Sequence, residues 1–242
     1  MNRPLSGANP NGLPATAVTL FLFPGLALAD GIVINKIYDP YVQPLENELE
    51  WRMVDQNDDQ LPDVQKHYLG FGRSLSDRWA FELYAIAEKG SGESLSFETY
   101  EFELKRQLTE QGEYAFDWGV LFELEREVEE NAWEFSTSLL SSRDFGRFTA
   151  TANLGFIYEW GGGIENEFET ALHVQTRYRF KEAFEPAIEL HMGQDTIAIG
   201  PAVTGLIRPS QGKKLRWELG VFAGVDDDSP DQTIKANIEF EF

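Results

Sequence analysis

The feature that most constrains this chain is a period-two alternation of apolar and polar residues, sustained over segment after segment. Phe148, Ala150, Ala152, Leu154, Phe156, Tyr158 and Trp160 alternate with Thr149, Thr151, Asn153 and Glu159. Phe116, Trp118, Val120, Phe122 and Leu124 do the same against Asp117, Glu123 and Glu125. Between 168 and 180, Leu172, Val174 and Tyr178 share one parity, while Glu169, His173, Gln175, Arg177 and Arg179 share the other. A helix would mix these sets around its axis; a strand sends them to opposite faces.

Twelve such strands are expected, near 45–54, 66–74, 78–87, 96–107, 113–126, 131–141, 147–160, 166–180, 184–192, 195–207, 215–224 and 233–242. The first two are the least regular, which leaves ten as the other count. Most span nine residues or more, the length a tilted strand needs to cross a hydrocarbon layer, whereas strands of soluble sheets are commonly five or six. The expected fold is therefore an all-β, antiparallel transmembrane β-barrel over residues 45–242. A mean hydropathy of -0.34 fits such a wall, because lumen-facing polar residues alternate with lipid-facing ones. The connections alternate between a tight set and a more acidic set, the arrangement of an even-stranded barrel with short periplasmic turns and both termini in the periplasm.

The first 29 residues read as a cleavable signal peptide. Arg3 gives a sparse positive start, residues 15–26 are an apolar stretch too short to span a bilayer, and Ala27-Leu28-Ala29 has the small-x-small form of a cleavage site. A short N-terminal anchor is the alternative. Residues 30–44 are expected to be a periplasmic lead-in; a segment tucked into the lumen is the other possibility.

Composition excludes several classes. The chain has no cysteine, so disulfide frameworks and thiolate metal sites are out. A net charge of -21 lacks the basic footprint of nucleic-acid binding. No cofactor is expected.

The last strand carries the most specific motif. Ile234, Ala236, Ile238, Phe240 and Phe242 alternate up to a C-terminal phenylalanine. This resembles the closing-strand signature of Gram-negative outer-membrane proteins, with Phe240 and Phe242 as the signal that barrel-assembly machinery reads. With the leader and the alternating segments, residues 45–242 look like the broad class of outer-membrane β-barrels. YDPYVQPLENELEWR (38–52), FGRSLSDRWAFELY (71–84) and FELEREVEENAWEFS (122–136) look like segments of an uncharacterised family of proteobacterial barrels. The resemblance implies the outer membrane as location and its lipid as partner. It lends no activity, since twelve-stranded barrels of the class include nucleoside channels, acidic-sugar porins and a phospholipase.

Inward parity assembles a charged lumen: Glu101, Glu103, Lys105, Glu123, Glu125, Arg177, Arg179 and Glu189, together with Glu46, Glu48, Glu50, Arg52, Glu185, Arg216, Glu218, Lys235 and Glu239. Lys105 is expected to face Asp117 if the turn over 108–114 is symmetric. Such a ladder selects permeants or fills a narrow barrel with salt bridges. Acid exceeds base, so an open pore would favour small polar or cationic solutes. Outward aromatics (Trp79, Tyr114, Trp118, Trp160, Tyr178 and Trp217) suit the membrane boundary.

Two chemistries are weighed against ordinary wall residues. A turn centred on Glu182 places His173 opposite His191, with Glu189 and Glu169 on the same face. Two imidazoles and a carboxylate are ligands for zinc or copper, and solvated lumen histidines are the plain alternative. A lipid hydrolase would need a Ser-His arrangement, but Ser136, Ser138 and Ser141 have no histidine near them in sequence. The leading expectation is a porin-like channel and not an enzyme. A closed structural or metal-handling barrel comes second, and a lipid hydrolase third.

Overall fold

The computed structural model describes residues 32–128, 131–162 and 164–242; the proposed leader, 1–29, lies outside them. Twelve strands follow one another: β1 (Asn47–Asn57), β2 (Val64–Ser74), β3 (Trp79–Gly90), β4 (Ser96–Gln107), β5 (Asp117–Glu127), β6 (Ala132–Phe145), β7 (Phe148–Gly161), β8 (Glu167–Tyr178), β9 (Glu185–Met192), β10 (Ile197–Ser210), β11 (Lys213–Gly224) and β12 (Gln232–Glu241). Each pairs antiparallel with the next, and β12 pairs with β1, so the sheet is a closed barrel. The count is twelve, and β1 and β2 take their places despite their irregular sequences.

The burial pattern is that of a transmembrane wall. On β7, Thr149, Thr151 and Asn153 are buried while Leu154 and Phe156 are 39% and 41% exposed. On β1, Glu50 and Arg52 are buried while Leu49 is 51% exposed. Charged residues inside and leucines outside invert the soluble pattern, and a closed barrel removes every edge whose amides would lack partners in lipid. Aromatics gather at the rims: Trp79, Trp118 and Tyr178 stand at strand ends, and Trp133 stacks on Trp160 with ring centroids 6.4 Å apart. Tyr114 falls in the connection before β5 rather than on it. Trp217 lies near the middle of β11, paired with Gly205.

The rim that carries the start of β1 and the end of β12 also holds the connections 75–78, 108–116, 146–147, 179–184 and 211–212. The opposite rim holds 58–63, 91–95, 193–196 and 225–231, with the end of β5, the start of β6, the end of β7 and the start of β8. Two hairpins on the first rim are as tight as the chain permits. Gly146 (φ 64°) and Gly212 (φ 75°) supply the left-handed conformation that two-residue turns require. The 108–116 connection is longer than expected, and it changes one register. Lys105 pairs with Leu121, not Asp117. Asp117 instead folds back on the turn, where Oδ1 accepts the Gly112 amide at 2.8 Å.

The seam between β1 and β12 is clasped at both rims. Asn47 and Phe242 exchange backbone hydrogen bonds at 3.1 and 2.8 Å. At the other rim the Asp231 amide donates to Asp58 Oδ2 at 2.9 Å, and the Asp59 amide donates to Asp231 Oδ2 at 3.3 Å. Amides of Leu61 and Gln60 also point at Asp58 and hold its carboxyl below the usual range.

Residues 32–44 have no strand or helix and run through the inside of the barrel. Ile34 is fully buried against Ala198 and Phe222, near the rim opposite the seam's termini. Tyr38 packs on Leu121 and Leu140 at mid-height. The Val42 amide donates to Gln107 Oε1 at 2.9 Å near the first rim. Pro44 and Leu45 then reverse the chain into β1, with Leu45 at φ 63°. Roughly a dozen extended residues, at about 3.3 Å each, suffice to cross a layer about 30 Å thick. The luminal course of this strap, rather than a periplasmic lead-in, is what the structure describes for 32–44.

Candidate functional site

The lumen is built by parity, since each inward residue of one strand meets an inward residue of the next. One row runs Glu101–Glu125–Glu134–Glu159–Glu167, each directly paired with its neighbour from β4 to β8. The row beneath it runs Glu82–Glu103–Glu123–Ser136 across β3 to β6. Like charges directly opposite on a sheet repel, so this wall crowds acidic groups whose ionised forms would oppose one another. Among the described residues, no lysine or arginine nitrogen lies within ion-pair distance of Glu101, Glu103, Glu123 or Glu125.

Apart from Lys105 on β4, the inward cations sit on the other strands or in the strap. Lys235 Nζ lies 2.7 Å from Glu189 and 2.6 Å from Glu218. Arg177 pairs with Glu185 at 3.2 Å. Arg216 and Lys214 both contact Glu241, and Lys214 also reaches Glu46 at 2.5 Å. Arg52 is fully buried, its guanidinium carbon 4.2 Å from the Tyr68 ring centroid and 5.1 Å from that of Tyr84. Its Nη1 donates to Asn35 of the strap at 2.5 Å. Lys36 Nζ reaches Glu50 at 2.5 Å, and Glu82 and Glu239 at 3.5 Å.

The strap's polar groups are matched to the wall. The Tyr38 amide donates to Asn153 Oδ1 at 2.7 Å, and Asn153 Nδ2 returns a bond to the Tyr38 carbonyl at 2.9 Å. The Tyr38 hydroxyl donates to Glu103 Oε1 at 2.5 Å, and the Tyr41 hydroxyl to Asp117 Oδ2 at 2.7 Å. Pro40 lies over Gly119, where an added Cβ would come within 3.0 Å of three Pro40 atoms; glycine there lets the strap approach the wall. A cavity of about 430 Å³ opens beside the strap toward the first rim, bounded by Lys105, Arg177, Glu48 and Arg216 among others.

The eight lumen residues read from sequence separate into groups. Glu101, Glu103, Glu123 and Glu125 come together on β4 and β5. Lys105 lies one level below them, its Nζ 5.9 Å from the Tyr38 ring centroid. Glu189 stands in the opposite network with Lys235. Arg177 lines the cavity, while Arg179 lies past the end of β8, half-exposed, and pairs with Asp144 at 2.9 Å. The strap residues Asn35, Lys36 and Tyr38 were not identified from sequence, for they lie in no periodic segment. Glu134 and Glu159 were readable by parity.

The β8–β9 register pairs His173 with His191, Gln175 with Glu189 and Arg177 with Ala187, the pairing a turn centred on Glu182 requires. The two Nδ1 atoms are 3.1 Å apart. Glu189 is fully engaged: one oxygen accepts from Gln175 at 2.7 Å, and the other meets His191 Nε2 at 3.1 Å and Lys235 at 2.7 Å. Ser136 donates to Glu123 at 2.5 Å, and His67 Nε2 contacts Gln65 at 3.1 Å. No serine–histidine hydrogen bond occurs among the described residues.

No family model and no curated protein matches the sequence. Solved structures do match. An outer-membrane channel from Pseudomonas putida F1 superposes with a TM-score of 0.60 at 14% identity, covering 86% of this chain and 99% of that one. The NanC porin gives 0.51 at 9% identity, covering 80% and 98%. The β domain of the Bordetella autotransporter BrkA gives 0.51 at 12% identity, covering 82% and 99%. At these identities the likeness is one of fold, and by that measure the chain is a twelve-stranded barrel of the Gram-negative outer-membrane type.

Proposed function

We propose that this protein is an outer-membrane channel that passes small polar or cationic solutes through a narrow, acidic lumen. The carrying observation is the cluster of inward carboxyls on β4 and β5 (Glu101, Glu103, Glu123 and Glu125), facing a strap inside a closed barrel. Confined carboxylates raise the local concentration of cations, and a strap that shares the lumen with solute narrows the path to a restriction. In this reading the rim with Asn47 and Phe242 is periplasmic, residues 1–29 are removed on export, and assembly machinery reads Phe240 and Phe242. The exposed leucines and phenylalanines meet outer-membrane lipid. The barrel carries out no chemistry of its own.

The strap also supports a second reading, a structural barrel that stays closed. Conductance of the refolded full-length barrel in a planar bilayer separates the two. A channel gives discrete current steps and a cation-directed reversal potential under a salt gradient. A silent membrane with correctly folded protein inserted favours the closed barrel, and an anion-directed potential refutes the acidic-pore reading.

A further inference from the structure

We propose that the lumen holds a divalent cation of the calcium class between Glu101, Glu103 and Glu123. One carboxylate oxygen from each lies within 4.8 Å of the others. Within that bound a single ion with oxygen contacts of about 2.4 Å, the calcium distance, can reach all three. Magnesium usually keeps several waters and takes only one or two carboxylates, so a set of three suits calcium better. An all-carboxylate set selects hard cations over zinc or copper.

A second observation points the same way. Glu101 Oε2 and Glu103 Oε2 are buried and receive no hydrogen bond from an amide, hydroxyl or cationic donor, in residues only 3% and 1% exposed; the two carboxyls lie against each other. Buried carboxylate oxygens left without a donor are costly, and a cation at this point would satisfy both. The neighbouring cations make their contacts elsewhere: Arg52 with two tyrosine rings and Asn35, Lys36 with Glu50, Lys66 with Glu88 at 3.1 Å and Lys105 near the Tyr38 ring.

The remaining oxygens are held in place, as metal ligands usually are by their outer partners. The Tyr38 hydroxyl fixes Glu103 through Oε1, and Ser136 fixes Glu123 through Oε2. The strap thus supplies an orienting group to the site, and the ion ties β4, β5 and the strap together.

Terbium tests this directly. It occupies calcium sites and luminesces when a nearby phenol transfers excitation to it, and the Tyr38 ring is one hydrogen bond from Glu103. Refolded full-length barrel, stripped with chelator, should show sensitised terbium emission that calcium displaces and potassium at 100 mM does not. Diffuse counterions are screened at that salt. Glu101→Gln, Glu103→Gln and Glu123→Gln should each weaken calcium competition by about tenfold or more, and the triple variant should abolish it. Calcium should raise the unfolding temperature of the wild type and not that of the triple variant, whose glutamines keep the shape and remove the repulsion. Wild type without calcium-displaceable emission, or a folded triple variant that binds equally, overturns the proposal. Neither readout uses a membrane current, so this result stands apart from the conductance test.

Discussion

His173 Nδ1 lies 3.1 Å from His191 Nδ1, on directly paired positions of β8 and β9. His191 Nε2 faces the Glu189 carboxylate, so it carries the proton and donates. That leaves His191 Nδ1 as an acceptor, and His173 Nδ1–H donates to it. Glu189 is held by Gln175 and Lys235, the two imidazoles face each other, and Glu169 stands four residues before His173 on β8, so zinc would have to displace these bonds to gather the three protein ligands usual for it. Zinc titration of wild type and of the His173→Ala, His191→Ala double variant should therefore give the same binding. Tight zinc binding lost on either single change, and weakened below about pH 6.5, would establish a metal site instead. His191→Ala strips a partner from Glu189 and from His173. It should lower stability by about 1–3 kcal/mol in denaturant unfolding.

Removing the strap should open the lumen. A variant lacking residues 32–42 keeps every strand-to-strand ladder and loses the contacts of Ile34, Tyr38 and Val42 with the wall. Its conductance in a planar bilayer should exceed that of the wild type several-fold, while its gel mobility still shifts on heating as a folded barrel's does. Unchanged conductance in a folded deletion would show that the strap is not the restriction.

Charge on the β4–β5 wall should set ion preference. Glu103 and Glu123 are directly paired, and Glu103→Gln with Glu123→Gln removes both acidic groups from one level of the path. The reversal potential under a salt gradient should move toward zero. A preference that survives both changes would place the selectivity elsewhere.

The outward parity of β7 should be felt by lipid. Leu154 is 39% exposed on the wall, and Leu154→Arg should cost about 2–4 kcal/mol if its depth is near the midplane, measured by unfolding from liposomes. Asn153, its neighbour, is buried and bonded to Tyr38. Cysteines introduced along β7 should react with water-soluble reagents only at odd positions, since the chain has no thiol of its own. Labelling of the even set would reverse the faces.

The wall was legible because its code is local. Parity alone separates Leu154 from Asn153, and hairpin symmetry alone pairs His173 with His191. The strap was not legible, because its partners are distant and its sequence has no period. Asn153 meets Tyr38 across 115 positions and Lys235 meets Asn35 across 200. The Lys105–Asp117 pairing failed for a related reason. Asp117 caps its own turn through Gly112, and this side-chain bond lengthened a connection whose composition looked short. The acid wall was half legible, for parity showed which carboxylates face inward but not which cations reach them.

Deleting Phe242 should weaken closure of the seam. Its amide and carbonyl both bond to Asn47, and its ring stacks on Phe240 at 5.7 Å. The shortened chain should insert less, leaving protein for periplasmic proteases, as fractionation and immunoblotting would show. Phe242→Ala keeps the backbone bonds, so comparing the two separates the clasp from the aromatic side chain.

The strap imposes an order of events on folding. Hairpins such as β6–β7, joined by two residues, close short loops, and short loops close early. The strap's bonds join it to β1, β4, β7 and β12, so the surface it binds does not exist until the last seam has formed. The strap's full set of contacts therefore cannot be complete before the barrel has closed, and the Asn35–Lys235 bond across the seam strand is among the ones that wait for closure. Packing of the lumen is thus tied to closure of the wall, and the reversal at Pro44 and Leu45, which turns the strap back into β1, is the hinge that joins the two.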